Sequence, residues 1–348
     1  MNRPGRVGRA RRGSVRAVGL LATFLVVLLT AGCGLFGGSS ENDEGNKDAA
    51  AKSGPLEKTT LKVGVMIGID CAGPQLALLN NAFKDEGLTI KPETVQSGAL
   101  AIPALAGGEL DITFGNWVSF IKAQGKVGEL RFISESYLST PNSNFAVIAG
   151  ANSGINGPKD LVGKKVAVNA LGNINELLLR AVLEANDVAF DTVELVEMPF
   201  QNMAPAMQNG QVDAAATIDP FVTNAQRTTG AHIAFDLTGS GPTENFPLSG
   251  FAVMKDFAEK NPNTVAAFQR ALLKGQQAAA DRSNIEKALP KFAKMDADTA
   301  AVVRIGQFPT TIDSKRLQRV ADLLLSYKMI PQEVNIEPLV IPTPSSDG

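Results

Sequence analysis

Ile102-Pro103-Ala104-Leu105 running into Gly108-Glu109-Leu110-Asp111, and Ala204-Pro205-Ala206-Met207 running into Gly210-Gln211-Val212-Asp213, are one pattern written twice. Every position of the second copy stands 102 residues after its counterpart, without a gap. Upstream, Lys62-Val63-Gly64-Val65 is matched by Lys165-Val166-Ala167-Val168, 103 residues on, and both run into a glycine-containing turn and an apolar-periodic stretch. Self-similarity at a fixed offset marks one structural unit used more than once. The chain is therefore expected to fold as two lobes on a shared plan.

Within each copy the order is strand, turn, helix, strand, helix, strand. Leu61 to Ile67 reads as the first strand, and Leu76, Leu79 and Phe83 then recur at helical spacing up to Gly87. In the second copy Val166 to Asn169 is the strand, and Asn173 with Glu176 resembles a capping box. Strands alternating with helices of this length predict an α/β protein whose sheets are mainly parallel and covered on both faces. From Pro262 onward the pattern is helical: Pro262 to Ala280 behind an Asn261 cap, Ile285 to Lys294, Thr299 to Ile305 and Ser314 to Ser326. Because Gly250 to Met254 returns to a strand pattern, the chain is expected to cross back there and pad the first lobe. The expected division is 59–147 with 250–335 for lobe one, 148–249 for lobe two and a loose tail over 336–348. Two hinge crossings are placed near Asn144 to Ile148 and Leu248 to Ala252.

The N-terminus carries a different message. Six arginines and no acid occupy the first sixteen residues, followed by the fourteen-residue apolar run Val18 to Ala31. A hydrocarbon-spanning helix needs about 20 apolar residues, so 1–32 reads as a cleavable export signal. Leu29-Thr30-Ala31-Gly32-Cys33 resembles the lipobox of bacterial lipoproteins, which implies a lipid on Cys33 and an extracytoplasmic protein anchored to the cell membrane. Residues 33–58, rich in Gly, Ser, Asn and charge, read as a flexible linker. Losing 1–32 moves the formal net charge from −2 to −8, which disfavours a nucleic-acid partner. With Cys33 acylated, Cys71 has no partner for a disulfide.

In open α/β sheets the ligand crevice lies beyond the carboxyl ends of the strands, where helix N-termini offer free N–H groups. The candidate contacts are therefore turn residues. In lobe one they are Gly68, Asp70, Cys71, Ser97, Gly98, Gly115, Asn116 and Trp117; Asn144 sits at the crossing; in lobe two they are Gly172, Asn173, Asp219 and Phe221. Trp117, the one tryptophan, either packs in the core or stacks on a flat solute. Asp70 and Asp219 either cap helices or pair with a solute amine. No Arg or Lys falls in these turns, so an anion would rest on helix N-termini alone. His232 is the sole histidine and there is no HExxH or CxxC, so no metal, no cofactor and no catalytic residue is expected.

Gly157-Pro158-Lys159-Asp160-Leu161-Val162-Gly163-Lys164-Lys165-Val166-Ala167-Val168 is similar to the segment opening the second lobe in the SsuA/THI5-like (NMT1-type) family, and Gly210 to Ala214 with Asp219-Pro220-Phe221 adds to the likeness. The resemblance covers roughly 60 to 335. It implies a two-lobed, type II periplasmic-binding-protein-like fold and a solute-binding lipoprotein of an ABC importer, delivering a small molecule to a membrane permease. Family members bind sulfonates, taurine, nitrate or pyrimidine precursors. Ile218 stands where the family often has Trp. Trp117 stands where the family has smaller residues, and its indole stacked on a flat ring would favour an aromatic or nitrogen-heterocyclic solute over a simple alkylsulfonate. A lyase or pyrimidine synthase on the same fold, and an anchored solute sensor, are the competing readings. The receptor is expected to be a monomer that closes by hinge rotation.

Overall fold

The computed structural model describes residues 54–141, 145–239, 241–293 and 295–344. The export signal, Cys33 and Asn144 lie outside the described residues.

The first sheet forms around β1 (Thr60–Val65), whose Leu61, Val63 and Val65 are all buried. It pairs in parallel with β2 (Thr89–Thr94) and β3 (Ile112–Asn116). Antiparallel to β3 runs β10 (Pro247–Met254), and antiparallel to that runs β4 (Leu130–Leu138), giving the order β2-β1-β3-β10-β4. The second sheet repeats the scheme as β7-β6-β8-β5-β9: β6 (Lys165–Val168) pairs in parallel with β7 (Glu194–Glu197) and β8 (Ala214–Ile218). Antiparallel β5 (Phe145–Ala149) separates β8 from β9 (His232–Asp236). Each sheet is thus mixed, with a parallel half and an antiparallel half.

The duplicated motif has a physical job. Asp111 Oδ2 accepts the Lys62 N–H at 3.0 Å while its own N–H donates to Lys62 O at 2.9 Å. Asp213 does the same for Lys165, at 2.8 Å in both directions. In each lobe this aspartate fastens the first parallel strand, β1 or β6, near its start. Gly108 and Gly210 precede it with φ of +75° and +67°, a region where a side chain is strained, so the glycines recur with the aspartates.

Helices α1 (Ala72–Leu79), α2 (Ala82–Asp85), α3 (Gly98–Ala106) and α4 (Trp117–Ala123) belong to lobe one. The expected single helix to Gly87 is broken because Asn81 adopts φ +59° between α1 and α2. Lobe two carries α5 (Ile174–Ala185), α6 (Phe200–Gln208) and α7 (Phe221–Thr229). After β10 come α8 (Lys255–Lys260), α9 (Pro262–Ala279), α10 (Arg282–Phe292), α11 (Ala297–Val302) and α12 (Ser314–Ser326).

Four boundaries differ from expectation. Phe145 to Ala149 lies wholly in the second sheet and Pro247 to Met254 wholly in the first, so the crossings fall between β4 and β5 and between β9 and β10. Asn261 makes no side-chain cap; Glu57 caps α9 instead, its carboxylate accepting the Asn263 and Thr264 N–H groups, so the end of the expected linker is docked. Residues 336–342 are not loose. Ile336 is buried, Val340 bridges Phe132, and Gln269 Nε2 donates to Ile341 O at 3.0 Å. Finally, the C-terminal helices do more than pad lobe one: Arg227 on α7 pairs with Asp296, and Arg180 on α5 donates to Tyr327 O. This last part of the chain spans both lobes.

Candidate functional site

The lobes meet through the turns after β1 and β8. Ile69 N–H donates to Asp219 O at 3.4 Å, a backbone hydrogen bond from one lobe to the other. A Cβ on Gly68 would approach Ile218 Cδ1 to 3.3 Å, so the absent side chain lets the turns approach. A second contact runs from Lys122 Nζ on α4 to Gly172 O at 2.7 Å; burial holds this ammonium below its usual range.

Behind the first contact lies a buried polar cluster. Burial pushes the Asp70 carboxyl up to about 6, against the opposing pull of the Ser249 hydroxyl. Asp219 is fully buried, and burial raises its carboxyl too. Its Oδ1 accepts the Thr223 N–H at 2.9 Å and hydroxyl at 2.7 Å, while Oδ2 accepts the Arg304 N–H at 2.9 Å. Arg304 lies on a strap after α11 whose Gln307 pairs with Leu138 and whose Phe308 packs edge-on to Tyr137. The Tyr137 hydroxyl accepts the Gly306 N–H, and burial lifts its pKa well above the tyrosine range. Asp219 therefore ties the junction together, while Asp70 is held within lobe one, its carbonyl accepting the Ser136 hydroxyl at 2.8 Å. Asp219 acts as cap and strap anchor rather than as a free acceptor.

Most of the other expected turn residues shape the walls. Ser97 Oγ caps α3 by accepting the Leu100 N–H, and Asn116 Oδ1 caps α4 by accepting the Ser119 N–H at 2.9 Å. Gly98 lies against Gly115, where a Cβ would come within 2.8 Å of the neighbouring Cα. Asn173 Oδ1 accepts the Asn175 N–H, and Glu176 accepts from Gly172 instead of completing the capping box. Cys71 is buried in the lobe-one core with its thiol raised well above the usual range by burial. Trp117 resolves to the packed reading: it has no exposed surface, lies edge-on to Phe120 and Phe132, and leaves no room for a side chain at Gly250.

Between the lobes is a cavity of about 250 Å³. Lobe one contributes Met66, Ile67, Thr94, Val95 and Gln96; lobe two contributes Phe200, Gln201, Pro220, Phe221 and Asn224, with Ala293 closing one side. Of the named candidates only Phe221 lines it. Phe221 stacks on Phe200 with centroids 5.3 Å apart and planes inclined by 21°. Among the described residues no lining side chain is charged. Phe200 and Gln201 begin α6 directly after the exposed edge strand β7, and Thr94 to Gln96 follow the other edge strand, β2. The strand-end rule stops one residue past Gln96, at Ser97, and misses the turn after β7.

A model of the family described as NMT1/THI5 like matches residues 72–284. The chain belongs to that family. The "Taurine-binding periplasmic protein" of Escherichia coli (strain K12) is 31% identical over 205 residues, 58% of this chain, and the match spans 62% of that relative's length. A "Putative aliphatic sulfonates-binding protein" of Bacillus subtilis (strain 168) is 22% identical over 92% of this chain and 94% of its own. The fold is that of the alkanesulfonate-binding protein SsuA from Xanthomonas axonopodis pv. citri, solved bound to MOPS: TM-score 0.70, 19% identity, 82% of this chain and 99% of that one. The desulfurization enzyme DSZB shares the fold as well, with TM-score 0.61 and 15% identity over 82% of this chain and 97% of that one.

Proposed function

We propose that this family member is an extracytoplasmic solute-binding lipoprotein, anchored through Cys33, which hands its solute to an ABC permease as a monomer. The solute is small, uncharged and flat, an aromatic or nitrogen-heterocyclic molecule held in the interlobe cavity. The observation that carries this reading is the lining: a phenylalanine platform on lobe two, amides on both lobes (Gln96, Gln201, Asn224) and no charged side chain. A ring gains from stacking on Phe221, and the amides supply donors and acceptors without the desolvation cost of a buried ion. Closure through the Ile69 to Asp219 contact then removes water from the cleft.

Binding rather than catalysis is supported by the chemistry at hand. The buried Cys71 thiol is held protonated, and His232, the sole histidine, bonds Ile155 O at 2.8 Å outside the cleft. A second reading, an anionic solute such as a sulfonate, is favoured by Arg304. Its Nε and Nη2 are buried and find no partner, while Nη1 pairs with Asp236.

Native mass spectrometry of protein isolated without denaturation, combined with small-angle scattering before and after removal of the bound molecule, tests this. A one-to-one adduct of an uncharged ring compound, whose removal expands the protein and whose return compacts it, is expected. An alkylsulfonate adduct would move the assignment to the second reading. Equal scattering curves for bound and stripped protein would remove hinge closure altogether.

A further inference from the structure

Lobe two contains a second hollow, of about 350 Å³, between α6, α7 and the sheet. Ile148, Met203 and Ala225 form its apolar part, and Gln201, Gln208 and Asn224 its exposed polar rim. Among its lining residues none carries a charge. Phe200, Gln201, Phe221 and Asn224 line both this hollow and the interlobe cavity, so the stacked Phe200 and Phe221 rings are a partition between two adjoining spaces. At its floor Thr217 is only 1% exposed, yet its hydroxyl has no hydrogen-bond partner.

A buried hydroxyl without a partner costs roughly 1–3 kcal/mol, and natural proteins leave few such groups. Hydroxyls nearby have been satisfied: Thr228 and Thr229 donate back to Asn224 O and Ala225 O within α7. Thr217 differs in standing on β8, where its side chain faces the space under the two helices rather than a carbonyl of its own turn. We propose that this hollow is a second chamber of the solute site, which takes an uncharged ring or short branched alkyl group bearing one hydrogen-bonding atom that meets the Thr217 hydroxyl. The chamber rests on the solute-binding reading for its role but not for its occupancy. Phe200 and Phe221 decide how far a solute reaches into it, which makes specificity a property of lobe two.

Benzyl alcohol, an uncharged ring with a single hydroxyl, is the probe. Titrated into the full chain and followed by methyl NMR, it should shift the Ile148, Met203 and Ala225 methyls saturably, leaving the lobe-one methyls of Ile112 and Val253 unmoved. Ala225→Phe, which fills the space, should weaken this binding more than about tenfold, and Thr217→Val, which keeps shape and removes the hydroxyl, by about three- to tenfold. Thr217→Val also serves should Ala225→Phe fail to fold, as a thermal melt would reveal. Shifts that are absent, or that survive both variants unchanged, overturn the chamber. Its failure is separable from that of the receptor reading: a protein that compacts on its own solute but ignores benzyl alcohol loses only the chamber. One that binds benzyl alcohol here and compacts on nothing keeps the chamber and loses the receptor.

Discussion

The two lobes share a strand order and a fastening aspartate, yet finish their strand-end turns in opposite ways. In lobe one the turn after β3 is packed shut: Trp117 fills the space over Gly250, and Gly115 lies on Gly98. In lobe two the corresponding residue, Phe221, stands at the cavity with its stacking partner Phe200 and open space on both sides. A duplicated architecture thus gives a rigid wall and an adaptable one. What differs is where each aromatic ring finds its partners, the sheet in one lobe and the cleft in the other.

That contrast is sharpest in stability. Trp117→Ala should cost about 3–5 kcal/mol in urea unfolding, because a fully buried ring leaves a cavity that dense surroundings cannot collapse. Phe221→Ala, at a half-buried ring, should cost about 1 kcal/mol yet weaken an aromatic solute about tenfold or more. Similar stability losses for the two would erase the distinction.

The next effect belongs to the junction. Asp70 has its carboxyl raised from 3.8 to about 6, so between those values the folded state holds a proton that the unfolded chain has released. Stability should therefore fall as pH rises from about 4 to about 6 and level off above, by at most about 3 kcal/mol from this group. Asp219, raised in the same direction and by the same cause, adds a slope of the same sign. Carboxylates held low, such as Glu57 and Glu86, add a climb of the opposite sign, so the test is the wild-type curve minus that of Asp70→Asn. That difference should fall through this range, and a flat one would show the carboxyl to be ordinary in the fold.

Smallest is an optical effect. Trp117 has no exposed surface, so its emission should be blue-shifted and nearly indifferent to solute. In a Trp117→Phe background, Phe221→Trp should shift its emission when a solute occupies the cavity. A solute that moves the Trp117 signal as strongly would mean that lobe one rearranges as well.

Much of this was legible in the chain. The repeat at Asp111 and Asp213 was readable because one backbone task, fastening the first parallel strand of each lobe, needs the same carboxylate and the same positive-φ glycine each time. Phe221 was reachable because it follows a strand end. Phe200 and Gln201 were harder, since the turn after β7 has no capping side chain or glycine to mark it; Gln96 adjoins the expected Ser97, and only the tertiary structure turns it rather than Ser97 to the cavity.

Local chemistry along the chain determined the two-lobed α/β plan, the fastening aspartates, and the caps at Ser97, Asn116 and Asn173, because each depends on residues a few positions apart or on a strand's neighbour. Tertiary packing alone decided that Trp117 is core, that Glu57 caps a helix 206 residues away, that Asp219 serves Arg304, and that the cleft is uncharged. Those outcomes depend on which distant groups reach a buried atom first. No spacing in the chain encodes that competition.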